Sequence, residues 1–194
     1  MSTIIGNLKK HWQQIYDKSY QDKYHVYADT ELGRAIHKVR WDLVQRHAHG
    51  NLKILDWGCA VGAFHKNSPN GYVTSGYDIN PHSGFNEKPN PLNHWDVMTF
   101  WDSIEHDPQF YRIVSVYAPR YIFLATPNLE SVNGNIKEWK HYRPYEHIFY
   151  FDRYSLEFIF DSLGYDMVET NFEEGVLRDP SCPEAIISAA FVRR

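Results

Sequence analysis

Residues 54–64 read ILDWGCAVGAF, and the fold turns on this stretch. Ile54 and Leu55 close an apolar run that ends in an acid, Asp56. Small residues follow: Gly58, Cys59, Ala60, Gly62 and Ala63. Glycine permits positive φ and close approach of a backbone to a ligand. A helix that starts after such a turn presents free N–H groups to an anionic group. In an open α/β sheet, ligands bind beyond the carboxyl ends of the strands, where this turn stands. By itself the turn admits a hydride-transfer cofactor, a phosphate or a methyl donor.

The flanking sequence supplies the sheet. LKILDW (52–57), GYVTSGYDI (71–79), WDVMTFW (95–101) and RYIFLAT (120–126) predict four strands, and YDMVET (165–170) and AIISAAFV (185–192) add two more. Segments 63–67, 107–116 and 153–163 predict helices between several of them. Strands alternating with helices argue for a mostly parallel sheet with helices on both faces. The last two strands follow one another without a helix, which predicts an antiparallel pair and an antiparallel C-terminal edge strand. Residues 80–93, NPHSGFNEKPNPLN, hold three prolines and no apolar period. Neither a full helix nor a central strand fits them, so one unit is trimmed to a loop. The expected fold class is α/β, with a Rossmann-like sheet of seven strands, or one reduced where the unit around 80–93 is trimmed.

Residues 1–50 read as a helical cap. Leu8, Trp12, Ile15 and Tyr16 recur at helical spacing, and Leu32, Ile36, Val39, Leu43 and Val44 do so again. Asp29 and Thr30 offer an N-cap for the second helix and Gly50 a stop. The stretch between, DKSYQDKYHVYADT (17–30), reads as a loop. Its Tyr20, Tyr24 and Tyr27 are candidates for a lid over the ligand or for plain packing of the cap. The 194 residues are expected to form a single domain, with 1–50 as cap and 51–194 as ligand-binding core.

The composition, 43% hydrophobic and 23% charged, is that of an ordinary folded chain. A net charge of −4 gives no reason to expect nucleic acid, whose protein partners show a basic face. No apolar run reaches the roughly 18 residues of a membrane span, and MSTIIGNLKK lacks the apolar centre of a secretory signal. Cys59 and Cys182 form no C-x-x-C pair and fit a reducing compartment. A cytoplasmic protein with no membrane partner is expected. The oligomeric state is not legible in the sequence.

Elimination narrows the ligand. A phosphate loop needs G-x-x-x-x-G-K-[ST], and the stretch after Gly58 lacks the lysine and the hydroxyl. A dinucleotide turn needs G-x-G-x-x-G, and Ala60 and Ala63 stand at its second and third glycines. A carboxylate at Asp56 is poorly placed beside a pyrophosphate but suits a cofactor with an ammonium group and no phosphate. Asp78, at the end of the second strand, can accept hydrogen bonds from both ribose hydroxyls.

These residues resemble the class I S-adenosylmethionine-dependent methyltransferases. Leu55, Asp56, Gly58, Ala60 and Gly62 are similar to that family's first motif, with Ala60 in place of the middle glycine, and GYDIN (76–80) resembles the second. WDVMTFWDSIEHDP (95–108), FLATPN (123–128) and the segment 142–169 resemble a branch that includes ubiquinone-type and related small-molecule enzymes. The resemblance implies S-adenosylmethionine as cofactor. Asp56, Gly58, Cys59, Ala60 and Gly62 line its methionine end, Asp78 holds the ribose, Ile79 lies against the adenine, and Phe100, Trp101 and Asp102 sit under it. In the trimmed loop, Phe85 or Asn93 is left to meet the adenine edge. The implied reaction moves the methyl group to a small or medium polar acceptor.

Such a transfer is an in-line displacement from an activated sulfonium, so alignment matters most and a base serves only where the acceptor carries a proton. Glu105 and His106, just after the third strand, and His147 beside Glu146 are the candidate catalytic groups. His141, Tyr142, Arg143 and Tyr145 lie in a loop that in this family often meets the acceptor. No histidine pair shows the H-E-x-x-H or Cys/His spacing of a dedicated metal site, so no metal is expected. Two alternatives stay open: a nicotinamide-binding oxidoreductase, and a methyltransferase-like protein that binds the cofactor without turnover.

Overall fold

The computed structural model describes residues 18–194. Helices α1 (Lys18–Ala28) and α2 (Glu31–His47) precede a sheet of β1 (Leu52–Trp57), β2 (Tyr72–Tyr77), β3 (Val97–Trp101), β4 (Tyr121–Pro127), β5 (Tyr165–Asn171) and β6 (Ile186–Arg193). Between the strands lie α3 (Ala63–Lys66), α4 (Phe110–Tyr117), α5 (Arg153–Ser162) and α6 (Glu173–Arg178). The strand order is β2-β1-β3-β4-β6-β5. β1 to β4 are mutually parallel, and β6 runs antiparallel to both of its neighbours, β4 and β5. The antiparallel pair therefore stands at one edge, with β5 outermost and β6 one place in. The sheet has six strands, and residues 80–93 form turns and bends, as their prolines require.

β3 and β4 are buried along their whole length, which is why they read as unbroken apolar runs. Side chains alternate between faces along a strand. On one face Leu55, Met98, Phe100, Ile122 and Leu124 pack with Phe110, Ile113 and Val114 of α4 and Leu156 and Phe160 of α5. On the other, Ile54, Val97, Trp101, Phe123 and Ala125 pack with Trp41, Leu43 and Val44 of α2. This alternation corrects one expectation. Phe100 is fully buried in the α4–α5 core, whereas its neighbour Trp101 faces the other way.

Two helices were hidden in the sequence. The stretch expected as a loop at 17–30 forms α1 from Lys18 on. Among the described side chains of that helix only Ala28 is buried and Tyr24 half-buried, and they mark no apolar stripe. Likewise α6, with six residues, lies between the last two strands, where no helix was expected. It is too short to show a period. In α2 the Thr30 hydroxyl caps the helix by accepting from the Gly33 N–H, and the inward stripe holds His37 and Arg40 along with Ile36, Trp41, Leu43 and Val44. Leu8, Trp12, Ile15 and Tyr16 lie outside the described residues.

Phe160 and Phe191 stack at 4.1 Å between ring centroids and are both fully buried. Phe160→Ala is expected to lower unfolding free energy by about 3–5 kcal/mol. Urea denaturation measures it, and a loss below about 1 kcal/mol contradicts this packing.

Candidate active site

A cavity of about 510 Å³ opens beyond the carboxyl ends of β1, β2 and β3, within the size range of small-molecule sites. At one end lies the turn after β1. Gly58 has φ +82, and a Cβ there would stand 2.3 Å from Ser103 Cβ, so only glycine fits. Ala60 also has positive φ, +48. The alanine adopts the conformation that a glycine would hold without strain. Its N–H donates to Asp78 Oδ2 at 2.7 Å, and the Asn80 N–H donates to Oδ1 at 2.7 Å. Those bonds fix the Asp78 carboxylate between two backbone segments. Burial raises its pKa against their pull.

Asp56 is buried and accepts the Thr99 hydroxyl at 2.6 Å. Its other oxygen lies 3.5 Å from His65 Nε2. Asp56, Gly58, Cys59, Ala60, Asp78, Ile79, Trp101, Asp102, Glu105, His106 and His147 all line the cavity. Gly62 and Phe100 do not. Gly62 starts α3 and is covered by the Phe85 ring, 2.7 Å from where its Cβ would be, and Phe100 belongs to the core. Phe85 and Asn93 do not line the cavity either, while Asn80, buried beside Asp78, does.

Arg40, Asp102 and Arg178 of the cavity wall belong to a buried ion network. Arg40 grips Glu174 with a fork, Nε to Oε2 at 2.9 Å and Nη2 to Oε1 at 2.7 Å, and reaches Asp102 Oδ2 at 2.7 Å. Arg178 donates to both carboxylates. Burial alone would raise the Asp102 pKa, but Arg178 and Arg40 hold it well below the usual carboxylate range. Burial works against the charge on Arg178, and Asp102 and Glu174 override it and raise its pKa.

The same cavity is lined by Glu105, His106 and His147. The Glu105 carbonyl accepts the N–H groups of Ile148 and Phe149, at 2.8 and 3.1 Å, and so ties the loop after β4 to the tip of β3. The His106 and His147 rings meet edge to face, 4.7 Å apart. Burial and then the charge of Asp102 push Glu105 up to about 8. Burial lowers His106, and burial with the neighbouring His106 brings His147 down to about 3.

The sequence profile of the methyltransferase domain family matches residues 11–170. The chain belongs to that family. No curated relative matches it. Among solved structures it is similar to a SAM-dependent methyltransferase from Archaeoglobus fulgidus, at 20% identity and TM-score 0.60, covering 88% of this chain and 99% of that one. It is also similar to a didemethyltoxoflavin N1-methyltransferase from Burkholderia thailandensis, at 11% identity and TM-score 0.65, covering 93% and 86%. The small RNA methyltransferase HEN1 matches at 18% identity and TM-score 0.57, over 86% of this chain, which spans 26% of that larger one.

The cavity is also lined by residues that no motif announced. Arg40 and His37 come from α2 and Arg178 from α6. For Arg40 and His37 the signal was a polar residue on the buried face of α2, visible only once the helix is known. Tyr24 and Tyr27 of α1 line the cavity, as do His141 and Arg143 of the loop after β4. The Tyr20 side chain lies outside the described part.

Arg40→Met leaves Glu174 and Asp102 facing one cation instead of two. A loss of about 3–5 kcal/mol in unfolding free energy is expected by urea denaturation. A loss below about 1 kcal/mol contradicts a structural role for the network.

Proposed function

We propose that this methyltransferase domain takes its methyl group from S-adenosylmethionine and moves it to a small or medium polar acceptor. The observation that carries the reading is that Asp56, Asp78 and the Gly58–Ala60 turn line a single cavity together with Glu105, His106 and His147. The Asp78 oxygens, each with a lone pair beyond its backbone bond, suit the ribose hydroxyls. The carboxylate of Asp56 suits an ammonium and repels a pyrophosphate, which speaks against a nicotinamide cofactor. Ile79 is half exposed and offers an apolar surface to the adenine. Cys59 and Ala60 are assigned to the methionine end, and Trp101 and Asp102 line the same cavity. Gly62 supports the turn from behind.

The methyl carbon leaves sulfur with the acceptor's electron pair forming the new bond, and the positive charge on sulfur disappears. The chain's work is to align the two atoms in a closed cavity and, where needed, to take a proton. Glu105, His106 and His147 are assigned to the acceptor. The neighbours do not choose the acceptor, since one acts on small RNA and another on a didemethyltoxoflavin. The net charge of −4 favours a small molecule over a polyanion. Residues 1–194 are read as one domain capped by α1 and α2. Both cysteines are free, in keeping with a cytoplasmic setting, and no described helix is long and apolar enough to cross a membrane.

Calorimetry tests the reading. S-adenosylhomocysteine is expected to bind and NAD to give no heat. Asp78→Ala is expected to weaken S-adenosylhomocysteine by about 1–3 kcal/mol, roughly fivefold to 150-fold. Unchanged affinity contradicts the ribose assignment, and heat with NAD alone contradicts the cofactor.

A further inference from the structure

The acceptor end of the cavity has the donor set of a cation site. Glu105, His106 and His147 each bring one ligand-type atom to within 4.8 Å of the other two. Glu105 is 2% exposed and His147 6%. Glu105 Oε2 and His147 Nδ1 make no hydrogen bond of good geometry among the described residues, and only the Thr126 hydroxyl lies close enough to the Glu105 carboxyl to favour its charge. Buried polar atoms are rarely left so. His106 Nδ1 lies 2.9 Å from the Glu146 carbonyl oxygen. A carbonyl only accepts, so Nδ1 carries the proton, and Nε2 keeps its lone pair, 3.9 Å from Glu105 Oε1. An imidazole whose second nitrogen is held by a backbone carbonyl is oriented as metal-binding histidines are. The backbone adds rigidity, since Ile148 and Phe149 donate to the Glu105 carbonyl on the other side of His147.

We propose that Glu105, His106 and His147 bind one first-row divalent transition ion, of the zinc, cobalt or manganese class, at the acceptor end of the cavity. Two imidazoles and one carboxylate suit such an ion better than magnesium or calcium, which prefer all-oxygen shells. Bonds of about 2.1 Å bring ligand atoms to about 3.3 Å from one another, so the three side chains close inward by small rotations. Three protein ligands leave further positions open toward the cavity. A hydroxyl, carboxylate or amine of the acceptor fills one of them and is thereby fixed opposite the methyl donor. That last role rests on the methyltransferase reading above. The binding of the ion does not. The spacing of the sequence concealed the site, because Glu105 and His106 are adjacent and His147 comes from the far end of the loop after β4.

The test uses the whole chain, stripped with a chelator and titrated with Co²⁺. Visible absorption and calorimetry follow the titration, with S-adenosylhomocysteine titrated in parallel. One Co²⁺ per chain is expected, with visible bands of a nitrogen–oxygen site. Glu105→Gln and His147→Ala are each expected to weaken uptake about tenfold or more. His106→Asn serves where either variant fails to melt cooperatively. No uptake at millimolar Co²⁺ by a chain that binds S-adenosylhomocysteine overturns the cation site and leaves the cofactor reading standing. Uptake undiminished in the folded variants puts the ion elsewhere and also overturns it. Uptake that the variants weaken, in a chain that ignores S-adenosylhomocysteine, upholds the cation site and removes the cofactor reading.

Discussion

A guanidinium under a helix has to be paired, and Arg40 is paired with two carboxylates. It lies 7% exposed on the inner face of α2, forked onto Glu174 and touching Asp102. Asp102 stands just past the end of β3 in the left-handed region, φ +52, a conformation that aspartate tolerates better than most residues. Glu174 and Arg178 both come from α6. One network therefore joins the cap, the tip of a central strand and the short helix between the last two strands. Every segment it joins also walls the cavity. Removing any one charge strands the others in a poorly solvated place, where an unpaired charge is costly.

The cavity also brings two kinds of chemistry together. On one side, carboxylates at the ends of β1 and β2 are held by backbone N–H groups and a threonine hydroxyl. They are ordered before any ligand arrives. On the other side, a glutamate and two histidines stand close together with lone pairs unused. Burial keeps the histidines neutral and therefore able to accept or ligate. The two ends thus suit different partners: a cationic cofactor with ribose hydroxyls at the first, and a proton-bearing or metal-bound acceptor at the second.

Much of this was legible in the sequence, for physical reasons. Strands buried on both faces must be apolar throughout, so VMTFW and YIFLATP announced themselves, and the prolines of 80–93 ruled out a helix there. An acid at each of two strand ends, with a glycine turn after the first, pointed to one wall of the cavity. The hidden parts share a cause. Helices α1 and α6 are rich in polar residues, and a polar helix has no apolar period to betray it. His37 and Arg40 occupy core positions of α2 that a hydrophobic pattern skips. Phe100 and Trp101 were grouped as neighbours in sequence, but a strand sends neighbours to opposite faces. The cluster of Glu105, His106 and His147 depends on the main-chain bonds from Ile148 and Phe149 to Glu105, which no residue-type pattern encodes.

The central claim is that one cavity holds the methyl donor at its Asp56–Asp78 end and the acceptor at its Glu105–His147 end. A crystal structure of the whole chain with S-adenosylhomocysteine tests it most directly. The account predicts ribose hydroxyls on Asp78, the amino-acid end of the ligand beside Asp56 and the Gly58–Ala60 turn, and the sulfur facing Glu105, His106 and His147. A ligand bound outside this cavity, or reversed with its adenosine against His147, would contradict it.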